Sequence, residues 1–399
     1  MPELYKLHNQ IKHYEWGSPR FIPGLLDIPG DNRPWAELWM GCHPQASSMA
    51  GDTSLDQLIA ENPRRYLGEK AAQKYGTLPF LFKLLAAEKP LSIQAHPNLT
   101  HAREGFDREN RAALPLQVPN RNYKDANHKP ELLCALTPFT GMCGFREPEK
   151  IKNLLDIFIT QRRKGAEDNA RIVKDALSSV SLCLDEGSSE EKLRNFLEAL
   201  FNLSQTARQA LTEYILSSKP SSPEWEIMRK FAEMYPGDPA VIAPLYLNVF
   251  HLEPGEAIFL KAGVLHAYIS GFAVELAANS DNVLRGGLTA KHVDVPELMN
   301  ILDFSPLDLR IIKPDPSLPC FTYFTPCEEF LLTKIRCDGG GSTATFAHDS
   351  PAICIVTEGK ATIGGDMVLK QGESAFIPAC ENPLTPSGYF TLYIASCPS

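Results

Sequence analysis

No apolar run in this chain approaches the ~18 residues that a membrane-spanning helix requires. The opening segment, MPELYKLHNQIKHYEW, also lacks the basic stretch and apolar core of a secretory leader. Both absences point to a cytoplasmic protein with no membrane partner. Cysteine is present but unpatterned: the ten thiols lack the tight paired spacing of a disulfide framework or a zinc ribbon, so reduced and mostly buried thiols are expected. Positive charge is in deficit. With 39 Lys and Arg against 48 Asp and Glu, the formal net charge is −9, which disfavours nucleic acid as a general partner. An anionic small molecule would need its own local cluster of cations.

At 399 residues the chain exceeds what one hydrophobic core usually organises, so two or three domains are expected. Residues 1–148 read as mainly β, through runs such as PFLFKLL, PLSIQAH and PELLCAL, with helices near Ser54 to Glu61 and Pro63 to Tyr75. Over 149–239 the apolar period changes from two to near 3.6. Leu193, Phe196, Leu197, Leu200 and Phe201 fall on one helical face, behind a Ser188 and Glu191 capping box, and Ser222 before Pro223 opens another helix. The helical pattern stops at Tyr235-Pro236-Gly237-Asp238-Pro239, and strands resume over 240–312. A Pro-rich joint at Asp315 to Pro319 leads into 313–399, where FLLTKIRC, AICIVTEGKATIGG and ESAFIPA alternate as strands. The expectation is a mainly β protein with an α-helical insertion.

Three segments offer metal ligands. Gln94 and His96 are two apart, so on a strand their side chains leave one face, as a chelate requires. A histidine with an amide oxygen gives a mixed donor set suited to zinc or a similar divalent ion. The plain alternative is a polar strand carrying one hydrogen-bonded histidine. In YKDANHKPELLCAL, Pro130 forces Lys129 into an extended path. Lys129 and Glu131 then point the same way and His128 the other. A lysine held beside a metal inside a barrel needs charged partners or a task; the alternative is a surface turn with a solvated Lys–Glu pair. His266, with Tyr268 on the same strand face, is a fourth candidate ligand. Tyr14 and Trp16 are expected in the core, and His43 and His101 lack the same-face partners that ligands would need.

Gly255, five residues, Lys261-Ala262-Gly263, two residues and His266 resemble the second signature of the cupin barrels, with Lys261 in place of proline and Ser270 in place of asparagine. Gly372, five residues and Pro378-Ala379 repeat the opening, but Cys380 replaces the glycine and Pro383 the histidine. The resemblance implies two jelly-roll barrels, one metal-binding and one degenerate. Three longer strings, PFLFKLLAAEKPLSIQAHPN, DANHKPELLCALTPFTGMCGFR and ANSDNVLRGGLTAKHVDVPEL, together with AELWMGCHP, resemble type I mannose-6-phosphate isomerases over about residues 5 to 305. That resemblance implies one zinc per chain on Gln94, His96, Glu131 and His266, a catalytic Arg285 and a hexose 6-phosphate substrate; a monomer is the expected assembly.

Interconverting an aldose and a ketose requires ring opening, removal of the C2 proton and its return to C1 through an enediol, so a base and an oxyanion stabiliser are needed. Lys129 is the leading proton-transfer residue, since a lysine buried beside a metal and an arginine is suited to act as a base. Glu275 is the rival and Asp281 a candidate for ring opening. Arg285 adds a fixed positive charge. Arg285 and Lys291, six apart with two glycines between them, with Ser92 and Lys83, are candidate phosphate donors. Tyr268 and His128 complete the candidate substrate contacts. A cupin-type iron oxygenase and a non-catalytic sugar-phosphate-binding cupin stay as alternatives, because ligand types alone do not separate iron from zinc.

Overall fold

Successive side chains of a strand face opposite ways, yet Phe80–Ala87, Glu131–Ala135 and His266–Ala278 are buried almost throughout. Two different neighbours explain this. One face, carrying Leu84, Leu132, Cys134, Val274 and Leu276, shares an apolar cluster with Ile353, Phe376 and Tyr393 of a second sheet. The opposite face carries Leu85, Leu133 and Ala273 into a separate cluster with Phe139 and Tyr268, and the same alternation places Lys83, Glu131 and Glu275 there. In this computed structural model the described residues are 3–160, 167–217, 222–339, 344–346, 349–379 and 383–398. Cys380 therefore lies outside the described residues.

The first sheet runs in the order Ile311–Ile312, Ala257–Leu260, Glu131–Ala135, His266–Ala278, Phe80–Ala87, Glu37–Gly41 and Gln10–Lys12. Its pairs are antiparallel, and the register sets Glu275 opposite both Lys83 and Leu133. The long strand His266–Ala278 changes partners along its length. Its start pairs with Gln94 and with Phe139–Phe145, and from Gly271 it pairs with Phe80–Ala87. Gly271 lets the chain turn this corner: its φ is +129°, and a Cβ there would lie 2.6 Å from the Phe139 ring.

The second sheet runs in the order Cys320–Tyr323, Leu331–Asp338, Ser387–Ser396, Ala352–Ile363, Ser374–Ile377, Tyr5–His8, Met49–Ala50 and Thr53–Ser54, with Met367–Lys370 beside Ala352–Ile363. The first strand of the chain thus joins the C-terminal sheet, Leu7 standing opposite Ser374.

Helices Pro148–Thr160, Glu167–Leu182, Ser189–Phe201, Gln205–Leu216 and Pro223–Met234 form the helical region, and the Ser188–Glu191 capping box is complete. Leu193, Phe196, Leu197 and Leu200 are buried in a cluster that also holds Ile93, Ala95, Ala267 and Leu284, so this region packs behind the strands that carry Gln94 and His266. Earlier in the chain lie the short helix Phe21–Leu25 and the helices Leu55–Glu61 and Pro63–Tyr75, the last interrupted at Gly68, where φ is +77°. A further helix, Leu99–Arg111, stands where β structure was expected; Asn98 caps it by accepting from the His101 amide at 2.8 Å. Tyr14 is 41% exposed rather than in the core, and Trp16 packs beside it. The described cysteines are all free thiols. Among the described residues no helix is long and apolar enough to cross a membrane.

Candidate metal centre and its surroundings

Two imidazoles are set up as ligands by what their other nitrogens touch. His96 Nδ1 lies 2.6 Å from the Asn282 carbonyl and His266 Nδ1 lies 2.9 Å from the Val264 carbonyl. A carbonyl only accepts, so both Nδ1 atoms carry the proton and both Nε2 atoms present a lone pair, as metal-binding histidines usually do. Those Nε2 atoms meet at Glu131, 3.3 Å from Oε1 for His96 and 3.5 Å from Oε2 for His266. The donor atoms of His96, Glu131 and His266 all lie within 4.8 Å of one another and all three residues are buried. Among the described residues His96 Nε2 finds no hydrogen-bond partner although it is fully buried, a costly state for a polar atom unless a ligand takes its lone pair. Gln94, opposite His266 in the ladder, holds its amide 3.4 Å from His266 Nε2, and an amide in that position can turn its oxygen to the same point. Burial pushes the His96 imidazole below its ordinary value, which keeps it neutral and available. These residues fit one divalent cation of the zinc type.

Around this cluster the ionisable groups are unusually dense. Lys129 Nζ is 3.3 Å from Glu131 Oε1, and the Tyr268 hydroxyl donates to Oε2 at 3.3 Å. Burial works to raise the Glu131 carboxyl, but the Lys129 ammonium beside it works the other way, and the carboxyl lies well below the usual carboxylate range. Burial pushes the Tyr268 phenol well up, with Glu131 and Glu275 adding to it. Lys83 donates to Glu275 at 2.7 Å and lies 3.7 Å from Glu37, whose other oxygen accepts from the Trp39 indole at 2.7 Å. Burial raises the Glu275 carboxyl, against the pull of Lys83. Asp281 Oδ1 is 3.2 Å from His43 Nε2, and Oδ2 accepts from the Gln45 amide at 2.8 Å. Counting His as neutral, four carboxylates (Glu37, Glu131, Glu275 and Asp281) face two ammonium groups (Lys83 and Lys129). A divalent cation supplies the balance.

The cationic residues expected near the substrate lie on the next strand. Leu284–Arg285 pairs with Gln94–Ala95, Arg285 standing opposite Gln94. Its guanidinium is half-buried and makes no ion pair or hydrogen bond among the described residues; Lys291 is exposed, and its ammonium likewise makes none among them. Burial lowers Arg285; partial desolvation and Arg285 itself lower Lys291. The loop between them is pinned from two sides. Ile93 and the two glycines exchange backbone hydrogen bonds, and the half-buried Asp238 carboxylate accepts from the Leu288 amide at 2.6 Å. Gly287 has φ +120° and a Cβ there would meet Ala240 at 2.4 Å, so glycine is required. Ser92, two residues before Gln94, is half-buried and makes no side-chain bond among the described residues. His128 lies apart from the metal cluster, its Nε2 2.8 Å from Glu329 Oε1.

The chain is similar to the family model described as phosphomannose isomerase type I, catalytic domain, over residues 4–148. Mannose-6-phosphate isomerase of Escherichia coli is 39% identical over 97% of this chain and 97% of its own length. The chain belongs to the type I phosphomannose isomerase family. The human mannose-6-phosphate isomerase is 33% identical over 96% of this chain and 95% of its own length. Among solved structures, mannose 6-phosphate isomerase from Salmonella typhimurium, bound to fructose 6-phosphate and zinc, is 37% identical with a TM-score of 0.88, covering 99% of this chain and 100% of that one.

Three groups beside the site were not singled out from the sequence. His43 was set aside for want of a same-face partner, yet it is buried and bonded to Asp281. Lys124 is lowered by burial and by nearby Arg121, with Arg285 contributing, and its ammonium donates to the Leu116 carbonyl at 2.6 Å. Asn282 is fully buried. Its Oδ1 accepts from the amides of Lys124 and Asp125, its Nδ2 donates to the Asp125 and Asn127 carbonyls, and its own carbonyl orients His96. One asparagine therefore ties a metal ligand to the loop that leads into Lys129. Asn282→Ala is expected to weaken divalent-metal binding about tenfold, as loss of an orienting neighbour does, measured by competition with a chromophoric chelator. Unchanged affinity would mean that His96 holds its place without this network.

Proposed function

We propose that the chain interconverts D-mannose 6-phosphate and D-fructose 6-phosphate, with one zinc held by Gln94, His96, Glu131 and His266. The observation that carries this is the buried donor cluster, flanked on one side by Lys129 and on the other by Arg285, with His96 Nε2 and the Arg285 guanidinium both without a partner among the described residues. Bound there, zinc supplies Lewis-acid polarisation of the sugar oxygens.

The remaining chemistry belongs to side chains. Asp281, held by His43, assists ring opening by proton transfer at the ring oxygen and the anomeric hydroxyl. In its neutral amine form Lys129 takes the proton from C2, leaving a cis-enediolate; the O2 hydroxyl proton passes to O1, completing the cis-enediol relay, and the Lys129 ammonium returns its proton to C1. Glu275 is the rival base, but its carboxylate lies 2.7 Å from the Lys83 ammonium, which favours Lys129. Arg285 faces the developing oxyanion, and Lys291 with Ser92 meets the phosphate. Lys83 and Tyr268 approach the sugar while orienting Glu275 and Glu131, and His128 borders the same side.

We further propose two barrels, the metal-binding one built from 1–148 and 240–312 around the helical insertion 149–239, and a second over 313–399 without ligands. Supporting this is a second sheet with its own apolar cluster around Ile335, Cys354 and Leu392, although Tyr5–His8 is contributed to it by the N-terminus. A monomer in the cytoplasm is the assembly and location we propose, readable by sedimentation and by cell fractionation.

Incubation with mannose 6-phosphate is expected to yield fructose 6-phosphate, with turnover lost on chelation and restored by zinc. No turnover by the zinc-loaded protein would overturn the proposal, and oxygen consumption by the iron-loaded protein would replace it with the oxygenase. Lys129→Ala is expected to lower both turnover and exchange of the C2 proton by at least about a hundredfold, the scale of general base catalysis; near-normal exchange would remove Lys129 as the base. Lys291→Ala is expected to raise KM for the phosphosugar about tenfold, equivalent to one charge-assisted hydrogen bond, and an unchanged KM would take Lys291 out of the site.

A further inference from the structure

The C-terminal region reaches the catalytic loop at His128. His128, the residue before Lys129, places Nε2 2.8 Å from Oε1 of Glu329, which precedes the second-sheet strand Leu331–Asp338. The side chains are 25% and 13% exposed, so the bond is largely shielded from water. Glu329 is itself fixed. Its other oxygen accepts from the Cys327 thiol at 2.9 Å, and its neighbour Glu328 is held by Lys74 at 2.7 Å and, through its carbonyl, by Tyr75 at 2.9 Å. On the other side, the His128 amide donates to Asn127 Oδ1 at 3.0 Å, within the network that Asn282 organises.

A carboxylate accepts only, so Nε2 carries a proton. Nδ1 makes no hydrogen bond among the described residues. Pro130 restricts Lys129 to extended backbone, so a shift of His128 is passed directly to Lys129 and Glu131.

We propose that Glu329 is a positioning residue for the isomerisation, acting through His128 to fix its tautomer and to hold Lys129 at the reacting carbons. This gives the ligand-free barrel a part in catalysis, and it rests on the isomerase reading above. The arrangement is the carboxylate–imidazole pairing that orients histidines at metal sites, used here on a histidine beside the base.

Glu329→Ala, Glu329→Gln, His128→Asn and the His128→Asn/Glu329→Ala double variant test it, each as the full-length zinc-loaded enzyme with zinc content measured. Glu329→Ala is expected to lower kcat about tenfold, the scale for loss of such a partner, with KM within about twofold and zinc content unchanged. Glu329→Gln, whose amide oxygen still accepts from Nε2, is expected to recover most of that loss. The double variant is expected to be no slower than His128→Asn alone. Should Glu329→Ala not fold, Glu329→Asp, which keeps the charge but shortens the reach, takes its place in the same cycle. Wild-type kcat in Glu329→Ala, or losses that multiply in the double variant, would overturn the inference while leaving the isomerase reading intact. A wild-type enzyme without turnover would overturn both.

Discussion

A single buried carboxylate, Glu131, sets the terms for everything around it. Taking an ionised carboxylate out of water costs several kcal/mol unless partners replace the lost solvation. Glu131 is 1% exposed; Lys129 beside it and the Tyr268 hydroxyl from the long strand replace part of that solvation, and the lone pairs of His96 and His266, from two further segments, converge on it ready for a cation. Its register fixes where they converge. Glu131 stands opposite Leu260 on one neighbouring strand and Ala277 on the other, so the face that carries it also carries Glu275 and, across the ladder, Lys83. The sheet thus needs an apolar outer face against the second sheet and tolerates charge within, because each inward charge meets an opposite one or a metal-ready donor.

The same constraint explains why so much of the inner site is held by hydrogen bonds rather than by apolar packing. Asn282 makes no contact with the ligand point, yet its backbone orients His96 and its side chain closes the 124–128 loop onto the strand ends. Buried polar networks of this kind specify one arrangement when every member is satisfied. The orphan is His96 Nε2, the atom a cation would take.

What was legible in the sequence was what depends on neighbours a few residues away. The two-residue spacings of Gln94 with His96, Lys129 with Glu131 and His266 with Tyr268 follow from strand pleating, and the structure brings all six side chains to one place. The 3.6 period of Leu193 to Phe201 likewise marked the helical face that is buried. Helix Leu99–Arg111 was missed because its inward face is made of Ala102, Gly105 and Glu109 instead of large apolar residues. Gly105 leaves room for the Tyr123 ring, and Glu109 is buried because it accepts from the Asn122 and Tyr123 amides. His43 was set aside because its partner Asp281 lies on a distant segment. The pairing of Tyr5–His8 with Ser374–Ile377 joins opposite ends of the chain, a contact no local pattern encodes.

The site divides into two electrostatic halves that neither sequence nor net charge announces. Around Glu131 the carboxylates exceed the ammonium groups, and a divalent cation completes the balance. Around Arg285 and Lys291 there is cationic charge with no ion pair among the described residues, in a protein whose net charge is −9. The backbone holds that second half rigid: Gly287 approaches Ala240 too closely for any side chain, and Asp238, from the end of the helical region, anchors Leu288. For the proposed reaction this arrangement has a physical consequence. The phosphate dianion brings the negative charge that the second half lacks, and the first half stays charge-balanced with its metal. Binding therefore draws on cations whose backbone is held before the substrate arrives, which reduces what must be ordered when charge develops.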